Sequence, residues 1–141
     1  MVMVVVDASV WVSWLRPQDV NHNNSFSWIK SYRNTTGLMV APLLLLVEVT
    51  SAVARQTKDA SLTKEIITNL IEVSTMRLMP MDFALIRTAI NVANDLQLRA
   101  GDATYVAVAY QLSIPLISWD KEQLRKASKI VQTYTPDTYP F

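Results

Sequence analysis

The sequence predicts a parallel, three-layer α/β domain. Three observations carry this. Short apolar runs without polar alternation, above all Val2 to Val6, read as strands buried on both faces, as at the centre of a parallel sheet. These runs alternate with longer helical patterns, the mark of strand–helix–strand units. The length, 141 residues, suits one domain over 1–141. A chain of this size buries roughly two-thirds of its unfolded surface and needs no staples.

The elements follow in order. Val2–Val6 is the first strand and runs into Asp7. ASVWVSWL is apolar around most of its circumference and reads as a core-packed helix, ending near Arg16-Pro17 where proline discourages continuation. Pro17 to Asn24 reads as a polar loop that holds His22, a solvated histidine on this reading. Phe26, Ile29 and Tyr32 recur at helical spacing, so Ser25 to Arg33 is a second helix. Trp11, Trp14, Trp28 and Tyr32 belong by default to the core, with an intermolecular interface as the alternative.

Asn34 to Gly37 is a turn and Leu38 to Ala41 a second strand. Pro42 then suits the first turn of a largely buried helix, LLLLVEVTSAVAR. Gln56 to Asp59 breaks the pattern, and Ser61 to Val73 returns as the second arm of a helical hairpin. Met76 to Met81 is a weak strand. Asp82 caps a helix over Phe83 to Leu96. Arg99-Ala100-Gly101-Asp102 leads into the apolar helix ATYVAVAYQL. Leu116 to Trp119 is a strand ending at Asp120, KEQLRKAS a polar helix, and Ile130 to Tyr134 the last strand. TPDTYPF reads as a tail.

Composition excludes several kinds of chemistry. The chain has no Cys, which removes disulfides, thiol nucleophiles and Cys-ligated zinc and fits a cytoplasmic setting. Its two glycines, Gly37 and Gly101, cannot write G-x-G-x-x-G or a Walker A loop. One histidine leaves no place for a histidine-based triad. Net charge is +1, so nucleic-acid binding needs a local patch rather than bulk charge. No apolar run approaches the ~18 residues of a membrane span, and the N-terminus has no signal-peptide pattern, so no membrane association is expected.

Four acids stand out by context. Asp7 ends the first strand, on the side where open α/β sheets place their functional crevice; a helix cap explains it equally well. Glu48 lies inside a buried helix, where an ionised carboxylate needs a partner, either a functional one or an arginine. Asp102 and Asp120 each precede a helix and read as caps or as ligands; Asp120-x-x-Gln123 resembles a capping box. Taken together, all four are able to converge at one sheet edge. Converging carboxylates raise one another's pKa unless cations are bound, and hard oxygen donors suit Mg²⁺ or Mn²⁺. Such a site supports hydrolysis of a phosphodiester bond.

The chain here resembles the PIN-domain ribonucleases, and within them the VapC-like toxins of type II toxin–antitoxin pairs. VVVDASVWV is similar to the family's first motif, with Asp7 and, two residues on, Ser9. PLLLLVEVTSAVAR resembles the second, with Glu48, and LRAGDATYVAVA the third, with Asp102. ISWD resembles the fourth, with Ser118 and Asp120; Trp119 between them is a bulky residue at a variable place. The resemblance implies a five-stranded parallel sheet of order 3-2-1-4-5 with helices on both sides. It implies an endoribonuclease dependent on Mg²⁺ or Mn²⁺, an antitoxin partner and a homodimer. Carried over by motif, Asp7, Glu48, Asp102 and Asp120 are the metal-site acids. Ser9 and Ser118 are supporting hydroxyls that bond the acids, a metal-bound water or phosphate. Arg16, Arg99 and Lys121 adjoin the motifs and are candidate RNA contacts.

Three rivals follow from the same residues. A free-standing RNA-processing nuclease would share every motif but have no antitoxin. A non-catalytic RNA- or protein-binding module of the same fold would be expected to have lost acids, and the quartet is intact. Other phosphate-handling α/β enzymes fit poorly. A haloacid-dehalogenase phosphatase wants an Asp where Ser9 stands, and a receiver domain wants an acidic pair where Asp7 is alone.

Overall fold

The computed structural model describes residues 2–141. Five strands form one sheet: β1 (Met3–Val6), β2 (Leu38–Pro42), β3 (Met76–Met79), β4 (Leu116–Ile117) and β5 (Thr133–Tyr134). Their order is β3-β2-β1-β4-β5, and every pairing is parallel. This is the architecture the sequence and the family resemblance led one to expect. β1 is the middle strand, flanked by β2 and β4, and Val4, Val5 and Val6 are fully buried.

Among the described residues seven helices connect the strands: α1 (Ala8–Leu15), α2 (His22–Arg33), α3 (Leu44–Thr57), α4 (Ala60–Ile71), α5 (Phe83–Leu96), α6 (Ala100–Leu112) and α7 (Lys121–Ala127). Right-handed crossovers between parallel strands put α1–α4 on one face and α5–α7 on the other. Asp7, Asp59, Asp82 and Asp120 cap α1, α4, α5 and α7, each accepting a hydrogen bond from a backbone N–H of the first turn. α6 is apolar all round, and its residues from Ala103 to Ala109 are all buried.

Several boundaries differ from expectation. Pro42 does not open α3 but ends β2, opposite Met79. The next N–H, that of Leu43, bonds Met79 O, so the pairing outlasts the proline that has no N–H to give. α2 begins at His22, three residues before the expected start, and the His22 Nδ1 meets Ser13 O at 3.0 Å. His22 is therefore half-buried against α1, not a solvated loop residue. β4 stops at Ile117. Ser118 N still bonds Tyr134 O, but Trp119 N turns to the Ser9 hydroxyl, which pulls the chain out of the sheet. β5 keeps only two residues, because Ile130 and Val131 are still bonded to the end of α7.

Trp11, Trp28 and Tyr32 lie in the core, and Trp14 is half-buried against it. The C-terminal segment is more than a tail. Tyr139 packs edge-on against Trp28, Tyr32, Tyr134 and Phe141, with ring centroids 5.1–6.0 Å apart.

Candidate active site

The four acids come from four places around the carboxyl end of the sheet. Asp7 follows β1, Glu48 is on the second turn of α3, Asp102 is on the first turn of α6, and Asp120 follows β4. Asp7 is nearly buried, at 6% exposure. Its Oδ2 accepts from Ser9 N at 3.0 Å and from the Ser118 hydroxyl at 3.3 Å, and its Oδ1 from Gln123 Nε2 at 3.4 Å. It is thus a helix cap and a member of the cluster at once, so the two readings of the sequence do not compete. Asp120 is held likewise, with Oδ1 accepting from Gln123 N at 3.0 Å.

Glu48 and Asp102 are different. Among the described residues neither carboxylate accepts a close hydrogen bond or joins an ion pair, although the Tyr105 hydroxyl lies beside Glu48. The only ion pairs among the described residues join Glu122 to Arg125 and Lys126. Glu48 Oε1 is buried without a partner. Asp102 is not the cap of α6; Arg99 holds that position, which leaves the Asp102 side chain free. Gly101 supplies the space for Glu48: a Cβ on Gly101 would lie 3.0 Å from Glu48 Oε2.

The electrostatics follow from this crowding. Burial raises the Asp7 pKa, against the lowering effect of its hydrogen bonds. Burial also raises Glu48, the Tyr105 hydroxyl beside it lowers it, and the charge of Asp7 raises it further. Asp102 is pushed up to about 6, first by desolvation and then by Asp7, Asp120 and Glu48, with Arg99 opposing. The Tyr105 hydroxyl is buried without a hydrogen-bond partner beside Glu48. Desolvation and the Glu48 and Asp7 charges push its pKa up.

These are the properties of a site short of positive charge. Among the described residues no three acidic or histidine side chains are grouped closely enough to hold one ion as they stand. The donor set nevertheless fits a divalent cation: hard oxygens, mutually raised pKa values and an orphaned buried Oε1. The two unanchored carboxylates are those able to turn toward it.

The supporting residues divide. Ser118 is fully buried, and its one proton is shared between Gln123 Oε1 at 2.8 Å and Asp7 Oδ2 at 3.3 Å, while its oxygen accepts from Asp120 N at 3.0 Å. The Ser9 hydroxyl lies 3.3 Å from that of Ser118 and accepts from Trp119 N. Arg99 is exposed and lines a cavity with Asp102, Asp120, Glu122 and Lys126. Arg16 and Lys121 line neither this cavity nor the one beside Glu48.

Sequence reasoning missed Gln123 as a site residue. It is fully buried, and its side chain reaches Asp7, Ser118 and the carbonyl of Asp102. Only half of the expected capping box forms: Asp120 caps Gln123 N, but the amide does not return to Asp120 N. The available signal was a polar residue on the buried side of a short polar helix. Arg55, on the cavity beside Glu48, was also missed.

A five-stranded parallel sheet with acidic side chains around the carboxyl end of its middle strand defines the class: an α/β protein with an acidic cleft. The chain belongs to the PIN domain family, whose model matches residues 4–129. No curated protein matches it in sequence. Solved structures with the same fold include VapC20 of Mycobacterium tuberculosis, a toxin that cleaves the sarcin-ricin loop. It is 16% identical with a TM-score of 0.72, over 92% of this chain and 97% of that one. A toxin–antitoxin complex from Klebsiella pneumoniae is 14% identical with a TM-score of 0.68, over 98% and 99%. VapBC2 from Rickettsia felis, bound to a DNA fragment from its promoter, is 8% identical with a TM-score of 0.71, over 94% and 98%.

Proposed function

We propose that the protein is a Mg²⁺- or Mn²⁺-dependent endoribonuclease and the toxin of a toxin–antitoxin pair. The observation that carries this is the gathering of acids at the cleft, where burial first and then the charges of Asp7, Asp120 and Glu48 raise Asp102 to about 6 against the opposing effect of Arg99. Asp7, Glu48, Asp102 and Asp120 would hold the metal, directly or through water. A divalent ion held there supplies an activated water and stabilises charge developing at phosphorus.

The chain's own residues set the geometry. Gln123 and Ser118 fix both oxygens of Asp7, so the central carboxylate keeps one orientation. Asp120 is held by the first turn of α7, while Glu48 and Asp102 adjust around these fixed points. Asp102, raised to about 6, is able to carry a proton close to neutrality, at Oδ1 or Oδ2. Arg99 flanks the acids and contacts the phosphate backbone of RNA; Arg16 and Lys121 extend that contact outside the cleft.

The similarity to toxin structures solved with their partners supports a cognate antitoxin. A homodimer remains part of the proposal, on the exposed apolar side chains of α3 and α5 (Val47, Phe83 and Ile90). A free-standing processing nuclease is the second reading; a small gene upstream encoding a DNA-binding protein would decide for the toxin.

The test is Asp7→Asn in purified protein. Cleavage of a mixed RNA pool in Mg²⁺ or Mn²⁺ is expected to fall on the order of a hundredfold or more, with the circular dichroism spectrum unchanged. Undiminished cleavage by the folded variant overturns the assignment.

A further inference from the structure

We propose that the cavity walled by Trp119 is a nucleobase subsite, in which a base next to the scissile phosphodiester stacks on the indole. The proposal rests on the ribonuclease reading of the adjoining acids. The cavity measures about 380 Å³ and is lined by Trp119, Ser9, Asn21, Glu48 and Arg55, among others. That lies within the size range of small-ligand clefts, roughly 300–1,000 Å³. Glu48 belongs both to this cavity and to the acidic cluster, so whatever fills the cavity sits beside the reacting centre.

Trp119 is built into its position from two sides. Its backbone N–H donates to the Ser9 hydroxyl at 3.0 Å, and its Nε1 donates to the Ser25 hydroxyl at 2.8 Å. Ser25 is itself bonded to Ser13 at 2.6 Å, and Ser13 to Val10 O at 2.8 Å, all in the interior. The one polar atom of the ring is therefore satisfied inside the protein. Trp119 lines the cavity with its ring already held from the interior before any ligand arrives, which lowers the ordering cost of binding. A rigid aromatic wall accepts any base by its π-face, and stacking of this kind strengthens single-strand binding.

The rest of the lining suits a base better than a phosphate. Asp19 and Glu48 in the lining repel phosphate, while Asp19 Oδ1 accepts from Asn21 N at 2.8 Å. The Asn21 carboxamide makes no cap bond and offers a donor and an acceptor to a base edge. Arg55 is exposed and forms no ion pair among the described residues, so it is free for the backbone of the same nucleotide.

The experiment is cleavage of a randomised short RNA pool in Mn²⁺, with the product ends sequenced and KM and kcat measured on one cleaved sequence. The wild type is expected to show a base bias at a position flanking the cut. Trp119→Ala should flatten that bias and raise KM roughly tenfold, with a smaller effect on kcat. Trp119→Phe should keep most of the bias, and Ser25→Ala, which frees the ring without altering it, should give an intermediate KM. Melting curves establish that each variant is folded; if Trp119→Ala does not fold, the Phe and Ser25 variants carry the same comparison. A folded Trp119→Ala that keeps the wild-type KM and bias overturns the subsite, as does a loss confined to kcat, while the ribonuclease reading survives. A wild type that cuts no RNA in either ion overturns that reading and the subsite with it.

Discussion

Gln123 Nε2 donates to Asp7 Oδ1 at 3.4 Å, tying the first turn of α7 to the end of the middle strand. The same amide accepts from Ser118 and reaches the carbonyl of Asp102, so one neutral side chain spans three of the four site motifs. A neutral amide donates to Asp7 without adding to the negative charge that, with burial, already raises the neighbouring carboxylates.

Gln123→Leu removes these bonds at similar size. It leaves the Ser118 hydroxyl and Asp7 Oδ1 buried with fewer partners, so unfolding in urea is expected to show a loss of about 2 kcal/mol. Because Asp7 also loses its orientation, metal-dependent cleavage should fall roughly 10–100-fold. A variant as active and as stable as the wild type would remove Gln123 from the site.

Asp102 predicts an unusual pH dependence of stability. Its pKa is raised from 3.8 to about 6 in the folded chain, so the folded state holds the proton more tightly than the unfolded one. Its contribution is neutral below the lower value and disfavours folding increasingly as the pH rises through about 6. Metal-free Asp102→Asn should therefore be more stable than the wild type at neutral pH, by about 1 kcal/mol once partial exposure is discounted. The gap should close as the pH is lowered toward the unperturbed value. Thermal melts with and without Mn²⁺ check this: the ion should stabilise the wild type and have little effect on the variant.

Gly101→Ala separates stability from activity. Gly101 lies within a helix, where alanine is better by about 1 kcal/mol. The added Cβ would stand 3.0 Å from Glu48 Oε2, and a flexible carboxylate gives way at small cost. The melting temperature should hold or rise while cleavage drops, as Glu48 is pushed from its place. Full activity in this variant would mean that the Glu48 position is not critical.

Tyr139→Ala should do the reverse. Its ring meets four aromatic neighbours whose side chains bond none of the four acids, so its loss should cost about 2 kcal/mol and leave kcat unchanged. Urea unfolding and steady-state cleavage distinguish this from any role in catalysis.

The parts of the molecule that follow from local chemistry were legible in the sequence. The buried run before Asp7, the aspartate caps of α5 and α7 and the apolar α6 all announce themselves through residues close in the chain. Pro42 and the ends of β4 and β5 did not, because their state depends on bonds to distant partners: Met79 O for Leu43, the Ser9 hydroxyl for Trp119. Motif spacing led to the four acids. Gln123 stayed hidden because its partner Asp7 is 116 positions away. Trp119 looked like a bulky residue in a variable place until its two hydrogen bonds were seen.

The strand order has a consequence for the timing of synthesis. β1, with Asp7, leaves the ribosome long before β4, although the two lie side by side. More than a hundred residues are translated between Asp7 and the serine and glutamine that hold it. Until then the carboxylate has only its local cap bond from Ser9 N, and a chain broken off in between carries the acid without the rest of its setting. On the ribonuclease reading proposed above, that delay would leave the nascent polypeptide without a set site while its own message is being translated.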